Sequence, residues 1–227
     1  MTTTATSSDV TAPAIGGSGH FLLRRLHSLT GLLFGGYLIV HLLVNATLIE
    51  GGNIYQMQVD KIHSLPLLIA VEWALIFLPL LFHIVYGTWI TVTGQPNNGS
   101  YPYFRNGFYL LQRISAVILI AFIAFHVLGM KGLLGVSLSF DSSNATASVA
   151  HHFHSHWWIG YVIYPIGILA SCYHLANGFW AAAITWGLTV SADAQRRWGW
   201  VCTGIFAFTL ACSILALIAV IADKRPV

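Results

Sequence analysis

Charged side chains are scarce in this chain of 227 residues, since aspartate, glutamate, lysine and arginine together make up only 7% of it. An average soluble domain carries about 25%. Hydrophobic residues reach 56%, and the mean hydropathy is +0.73. A soluble domain of this length could not bury that much apolar surface, so we expect the surrounding solvent to be lipid. The net charge is +3 and the basic residues are scattered, so nothing indicates a nucleic-acid partner.

Cysteine is also rare, with three residues that all lie in apolar runs: Cys172, Cys202 and Cys212. They form no C-x-x-C pair of the kind found in zinc or redox sites, and no C-x-x-C-H motif for covalent haem attachment. We interpret them as small buried hydrophobic residues.

Ten-residue segments of alternating polarity, which are typical of membrane β-barrels, are absent. The chain instead has five long apolar runs, each exceeding the roughly 20 residues that a helix needs to cross a bilayer. These runs predict an all-α membrane protein with five transmembrane helices. Their approximate limits are 26–49, 65–92, 109–134, 157–188 and 198–222.

Residues 1–19 lack both the positive segment and the apolar segment of a secretory signal. They are rich in threonine, serine, alanine and glycine, which predicts a disordered N-terminal tail. The remaining residues, 20–227, are predicted to form a single membrane domain.

The distribution of arginine predicts the orientation of the chain in the membrane. Because arginine is enriched on the cytoplasmic side, the bias favours an N-terminus inside and a C-terminus outside. Lys224 and Arg225 count against this orientation. The residues that support it would share one side of the bilayer: Arg24, Arg25, Arg105, Arg113, Arg196 and Arg197.

One histidine lies within each of the first four apolar runs, at positions 41, 83, 126 and 174. An ionisable side chain in a membrane is costly unless it has a partner, so each is a candidate functional residue. With the predicted orientation, His41 and His126 fall in the outer half of the bilayer, and His83 and His174 fall in the inner half. Haem iron accepts axial ligands on opposite faces of the macrocycle.

These depths predict two stacked haems inside a four-helix bundle, with His41 and His126 binding the outer haem and His83 and His174 the inner one. The fifth helix, which has no histidine, would be peripheral. Two alternatives remain for each histidine, a hydrogen bond to a neighbouring helix or a place in a proton path. Zinc is less favoured because no two histidines have i, i+4 spacing within a run.

Further polar residues lie where the apolar runs meet the inner surface. They suit haem propionates or a quinone carbonyl, and the alternative for the first four is binding to lipid headgroups. These candidates are Arg24, Arg25, His27 and Ser28 before the first run, and Arg113 and Ser115 at the start of the third.

Glu72 is the only charged residue of the second run and lies in its predicted outer half. It is either bonded to a neighbouring side chain or part of a proton or quinone site. The tract HHFHSH (151–156) precedes the fourth run. It could bind a metal weakly, but solvated packing or a proton-collecting surface is the favoured interpretation.

Eight stretches of the chain, in order between about residues 21 and 197, are similar to one family. The chain resembles the di-haem cytochrome b membrane subunit of succinate dehydrogenase and fumarate reductase, of the type with a single five-helix anchor polypeptide. The stretches are RRLHSLTG (24–31), HLLVN (41–45), HSLP (63–66), FLPLLFHIVYG (77–87), QRIS (112–115), FHVL (125–128), YHLANGFW (173–180) and TWGLTVSADAQRR (185–197).

The resemblance implies haem ligands at His41, His83, His126 and His174, paired as above. It also implies a flavoprotein with FAD and an iron–sulfur protein docked on the inner face of a bacterial inner membrane. Electrons from succinate would pass through iron–sulfur clusters, the inner haem and the outer haem to a quinone, usually menaquinone.

Two positions depart from the family pattern. Ala116 replaces the glycine that often follows QRIS, and Cys172 stands where some members carry a glutamate that assists proton movement across the membrane. The second departure puts such a proton path in doubt. One alternative to this family is a di-haem cytochrome b of another dehydrogenase, which would lack RRLHSLTG, QRIS and YHLANGFW at these places. The other is a haem-free, histidine-lined transporter, which a pyridine haemochrome assay distinguishes.

Overall fold

The computed structural model describes residues 18–94, 104–135 and 139–222. Within these ranges the secondary structure is helical, and no strand occurs. The predicted N-terminal tail lies outside the described residues up to position 17, and helix begins at Ser18. The α-helices are α1 (Ser18–Ala46), α2 (Gly52–His63), α3 (Leu68–Glu72), α4 (Leu78–Thr93), α5 (Phe104–Met130), α6 (Ala145–Ser155), α7 (Tyr164–Thr185) and α8 (Ala192–Ala222).

Five helical segments are long and apolar enough to cross a membrane, which confirms the predicted fold class. We call them spans one to five. The protein is therefore a multi-pass membrane protein. Their limits are Gly19–Glu50, Leu68–Thr93, Gly107–Met130, Ile159–Thr185 and Ala192–Ala222.

Consecutive spans run in opposite directions and define two ends of the molecule. We call the end where span one begins the near end, and there the Trp186 indole donates to the Ser28 hydroxyl at 3.0 Å. The opposite, far end carries α2 and α6, and there Nε2 of His154 contacts the Val220 carbonyl at 3.0 Å. The near end carries Arg24, Arg25, Arg113, Arg196 and Arg197, whereas Lys224 and Arg225 lie outside the described residues.

Spans one to four surround a central cavity, and span five packs outside them against spans one and four. Two tryptophan indoles connect span five to span four by hydrogen bonds near the start of span five. Trp180 donates to the Gln195 carbonyl at 3.2 Å, and Trp198 donates to the Phe179 carbonyl at 3.1 Å. Span five is thus peripheral at the near end, but its far part reaches the cavity through Ser213, Ala216, Leu217 and Val220.

Spans two and four each contain a π-helical turn followed by a proline. Residues Trp73–Phe77 precede Pro79, and Ile159–Ile163 precede Pro165. Proline has no N–H to bond the carbonyl four residues earlier, and that carbonyl lies inside the π-helical turn in both spans. The widened turn therefore accommodates each proline without interrupting the span, and such turns frequently occur at functional sites.

The far end is closed by α2 and α6, which pack on each other above the spans. The Gln56 side chain joins them, because its carbonyl accepts the Ala145 N–H at 2.8 Å and its amide donates to the Ser142 carbonyl at 2.7 Å. An apolar cluster of Tyr55, Val59, Ala145, Val149 and Val220 lies beneath this contact. The helices α2 and α6 therefore cover the far end of the cavity.

Candidate functional site

The cavity between spans one to four has a volume of about 1160 Å³ and is lined mainly by apolar side chains. It extends from Arg113 at the near end to Lys131 at the far end, and all four predicted histidine ligands line it. Sites for single small molecules usually measure about 300–1,000 Å³. The cavity therefore has room for more than one such ligand.

The four histidines lie in two facing pairs. The ring centroids of His41 and His126 are 5.9 Å apart with planes inclined at 76°. Those of His83 and His174 are 6.3 Å apart with planes inclined at 87°. Imidazole nitrogens bind metals at about 2 Å, so two rings on opposite sides of one ion have centres roughly 6 Å apart. Each pair therefore has the spacing that one metal ion between two axial imidazoles requires.

The two pairs lie at different depths along the bundle. His174 contacts Ser115, which lies eleven residues before His126 on the same helix. At 1.5 Å per residue this places the pairs about 16 Å apart along the axis. Span four gives a similar value of about 15 Å, because Tyr164, which contacts His126, lies ten residues before His174.

The near pair begins with His83, whose ring is held by span one. Its Nδ1 lies 3.0 Å from the backbone carbonyl of His27, to which it donates. A Cβ atom at Gly31 would lie 2.5 Å from Cε1 of His83, so the absence of a side chain there allows the ring to pack against the helix. Because Nδ1 is engaged, Nε2 is the ring nitrogen left for a ligand.

His174, the second member of the near pair, is held by span three. Its Nδ1 lies 3.1 Å from the Ser115 hydroxyl, which donates to the Gln112 carbonyl at 3.0 Å. The Gln112 side chain donates to the His174 carbonyl at 3.2 Å and accepts from the Asn177 amide at 2.8 Å. This network fixes both the ring and its backbone, and it again leaves Nε2 of His174 as the open nitrogen.

In the far pair, His126 is oriented by Tyr164 of span four, whose hydroxyl oxygen lies 2.8 Å from Nδ1 of His126. For His41, the Asn45 amide lies 3.5 Å from Nε2, which is too long for a strong hydrogen bond. That amide instead donates to the His41 carbonyl at 2.7 Å. The orientation of His41 is thus set mainly by its helix.

The other candidates at the near end divide into two groups. His27, Ser28 and Arg113 line the cavity. The Arg113 guanidinium lies over the Tyr109 ring at 4.3 Å and donates to the Gly94 carbonyl at 3.3 Å. Among the described residues, the buried Nδ1 of His27 has no hydrogen-bond partner. An unsatisfied buried nitrogen beside a cavity suits a polar ligand group, because leaving it unpaired is costly.

Arg24 and Arg25 lie on the surface of the near end and do not line the cavity. Arg25 packs over the rings of Phe21 and Trp186, at 4.9 and 4.8 Å. The structure therefore does not bring these two arginines to the histidine pairs.

The last two candidates are Ser115 and Glu72. Ser115 contacts His174, as described above. Glu72 lines the cavity toward the far end, immediately before the π-helical turn of span two.

The histidine tract of residues 151–156 lies mostly within α6. The expectation of a solvated tract is wrong for His152, which is fully buried with 0% exposure. Among the residues that the structure describes, no group of three histidine, cysteine or acidic side chains could hold a metal ion. His152 instead contacts Tyr164.

Several contacts that shape the site were missed in the sequence. Gln112 and Asn177 belong to the stretches quoted above, but their bond to each other depends on how spans three and four pack. Only Tyr164 could have been suspected from the sequence, since it is a polar residue next to a proline in an apolar run.

Five membrane-spanning helices, four of which surround one cavity with two facing imidazole pairs at different depths, define a multi-pass membrane protein built as a histidine-lined helical bundle. No family model matches the chain. It is 36% identical over 210 residues to the succinate dehydrogenase cytochrome b558 subunit of Bacillus subtilis (strain 168), and the match covers 91% of this chain and 98% of that protein. The chain belongs to this family of succinate dehydrogenase cytochrome b subunits, which confirms the resemblance found in the sequence.

Proposed function

We propose that this chain is the membrane-anchor cytochrome b subunit of a bacterial succinate:quinone oxidoreductase and that it holds two b haems. His41 and His126 would bind the haem of the far site, and His83 and His174 that of the near site. The observation that carries the proposal is the presence of two imidazole pairs with a metal-binding separation in one apolar cavity.

The residues around the cavity fit such a group. Three of the four imidazoles have Nδ1 engaged by the protein, which presents Nε2 to the cavity. Ligating histidines commonly donate their other N–H in this way. When bound, the haems would supply one-electron transfer between the two ends of the cavity. The apolar lining excludes water from the pairs.

At the near end, Arg113, His27 and Ser28 are the groups that would hold haem propionates or a quinone carbonyl. Arg113 supplies a cation at the mouth of the cavity, and His27 supplies an unsatisfied nitrogen. Arg24 is exposed and Arg25 half-buried on the surface of the same end, so we assign them to contact with the flavoprotein and iron–sulfur subunits, which carry FAD and the clusters.

The near end would therefore face the cytoplasm, with the N-terminus inside and the C-terminus outside. The arginines collected at this end favour that orientation. Succinate chemistry would take place on the flavoprotein, and this chain would carry electrons away from the iron–sulfur subunit.

Quinone, as menaquinone, would be reduced near the far site, where the acidic side chain of Glu72 lines the cavity. A carboxyl group beside a quinone can accept and donate the protons that accompany its reduction. The π-helical turn that follows Glu72 widens span two at this depth.

The test is purification of the intact chain together with its co-purifying subunits, followed by a pyridine haemochrome assay and an assay of succinate–menaquinone activity. We expect two non-covalent haems per chain, a flavoprotein and an iron–sulfur partner, and quinone reduction by succinate. A ratio of one haem or none would contradict the two-haem proposal. Two haems without those partners would point to a cytochrome b of another dehydrogenase.

A further inference from the structure

A hydrogen-bond chain leads from the far site to α6. Nδ1 of His126 lies 2.8 Å from the Tyr164 hydroxyl oxygen, and that oxygen lies 3.1 Å from Nε2 of His152. The three residues belong to span three, span four and α6. They connect a histidine of the far pair to a buried imidazole that the proposed function does not use.

The directions of the two bonds follow from the chemistry of the groups. If Nε2 of His126 faces the cavity as a ligand, its proton is on Nδ1, which donates to the Tyr164 oxygen. The phenol has one proton, and its second neighbour is Nε2 of His152, so Tyr164 donates to His152. Burial, with a smaller contribution from His151, lowers the pKa of His152 to about 4, so the ring is neutral at pH 7 and can accept.

The two members of the chain beyond His126 are shielded from water. His152 has no exposed surface, and Tyr164 is 7% exposed. Aromatic rings enclose the phenol, with the Phe153 centroid at 4.2 Å and the Phe122 ring edge-on at 5.3 Å. Hydrogen bonds in such surroundings are stronger than in water, and each bond in a chain polarises the next.

The near pair has different acceptors. His83 donates to a backbone carbonyl, and His174 donates to the Ser115 hydroxyl. Only at the far pair, among the hydrogen bonds described, does a ligand histidine donate to a phenol that itself donates to an imidazole. The two pairs therefore differ in the groups behind their ligands as well as in depth.

We propose that Tyr164 and His152 are positioning residues for the far site, which orient His126 and lower the redox potential of the haem bound there. This inference rests on the proposed function. A ligand whose N–H is drawn toward a strong acceptor becomes more basic and favours the more positively charged, oxidised metal. By donating to His152, Tyr164 becomes a better acceptor for His126.

The test is redox titration, by visible spectroscopy, of the purified complex and of five variants. Tyr164→Phe keeps the ring in its aromatic surroundings and removes only the hydroxyl, so we expect the midpoint potential of the far haem to rise while that of the near haem stays in place. His152→Leu should raise the same potential by a smaller amount. His152→Gln retains an acceptor and should restore a value near that of the unmodified protein.

The double variant Tyr164→Phe/His152→Leu distinguishes the chain from separate packing effects. We expect its far-haem potential to match that of Tyr164→Phe alone, because removal of the phenol hydroxyl already breaks the hydrogen-bond chain between His126 and His152. Ser115→Ala is the matched control, since it removes the acceptor behind His174 and should shift only the near haem.

Failure of this inference and failure of the proposed function give different results. If the unmodified complex holds two haems, either of two results in Tyr164→Phe would overturn the inference alone. One is an unshifted far-haem potential, and the other is an equal shift of the potentials of both haems. If Tyr164→Phe loses the far haem, the inference is tested with His152→Leu and His152→Gln instead. An unshifted far-haem potential in both of these variants would overturn the inference. Absence of haem from the unmodified complex would instead refute the proposed function.

Discussion

The imidazole of His27 lies flat against that of His83, with ring centroids 4.0 Å apart and planes inclined at only 10°. The same residue provides the backbone carbonyl that accepts from Nδ1 of His83. Two glycines make this contact possible. A Cβ atom at Gly31 would lie 2.5 Å from the His83 ring, and one at Gly87 would lie 2.9 Å from the His27 ring. Spans one and two therefore meet closely at the near site.

We expect Gly31→Ala to displace His83 and to remove or weaken the near haem while the far haem is retained. The added Cβ overlaps a ring atom of His83, so the ring must move away from span one, and it borders the cavity that its ligand would occupy. Haem content and the reduced spectrum of the purified complex measure the effect. Gly204→Ala is the control, because a Cβ there meets nothing within 4 Å. Retention of two unshifted haems in Gly31→Ala would contradict the expectation.

The pairing of the histidines predicts which haem each substitution removes. We expect His41→Ala and His126→Ala to lose the same haem, and His83→Ala and His174→Ala to lose the other, because the two histidines of each pair face each other across the cavity. Redox titration of the four variants separates the two haems by potential. If His41→Ala and His83→Ala lacked the same haem, the assignment of the sites would be wrong.

The sequence predicted much of this site because hydropathy and helix geometry determine it. The length of each apolar run indicates a span, and counting 1.5 Å per residue along alternating spans places His41 beside His126 and His83 beside His174. Those pairs are the ones that lie together in the structure.

What the sequence could not predict depends on the rotation of each helix and on the folding of the loops. His152 was expected to be solvated as part of a polar tract, but α6 turns it inward onto Tyr164. Arg24, Arg25 and Arg113 carry the same charge at the same end. Only the packing of the helices distinguishes Arg113, which lines the cavity, from the two arginines on the surface.

This distinction predicts different effects for two arginines. Arg113→Gln removes a cation from the mouth of the cavity and should shift the midpoint potential of the near haem or weaken its binding. Arg24→Gln should leave both haems in place and reduce the amount of flavoprotein and iron–sulfur subunit that co-purifies. Haem titration and subunit stoichiometry measure the two effects. Normal assembly and unshifted potentials in both variants would refute these roles.

Glu72→Gln tests the quinone site at the far end. The amide keeps the size of the side chain but cannot exchange a proton, so we expect succinate–menaquinone activity to fall by roughly 10²-fold or more, the usual contribution of a positioned acid or base. Haem content and succinate oxidation by a soluble acceptor that bypasses this subunit should be unchanged. Full menaquinone activity in the variant would exclude Glu72 from proton transfer.

The membrane potential should act on electron flow between the two sites. The two sites lie about 16 Å apart along the bundle axis, so an electron that moves from the near to the far site crosses much of the bilayer. Moving one charge through 100 mV is worth about 2.3 kcal/mol. With the inside negative, outward movement of an electron is favoured, which would assist the reduction of menaquinone, a weak oxidant for succinate.

A proton that crossed with the electron would cancel this assistance. Cys172, at the position where some relatives of this type carry a glutamate, contacts Ser213 at 3.9 Å between spans four and five and does not line the cavity. We therefore expect quinone to take its protons from outside and an uncoupler to slow succinate oxidation by menaquinone in energised membranes. Oxidation by a soluble acceptor at the iron–sulfur subunit is the control and should not respond. An unchanged or faster menaquinone rate after uncoupling would show that electrons do not follow this outward route.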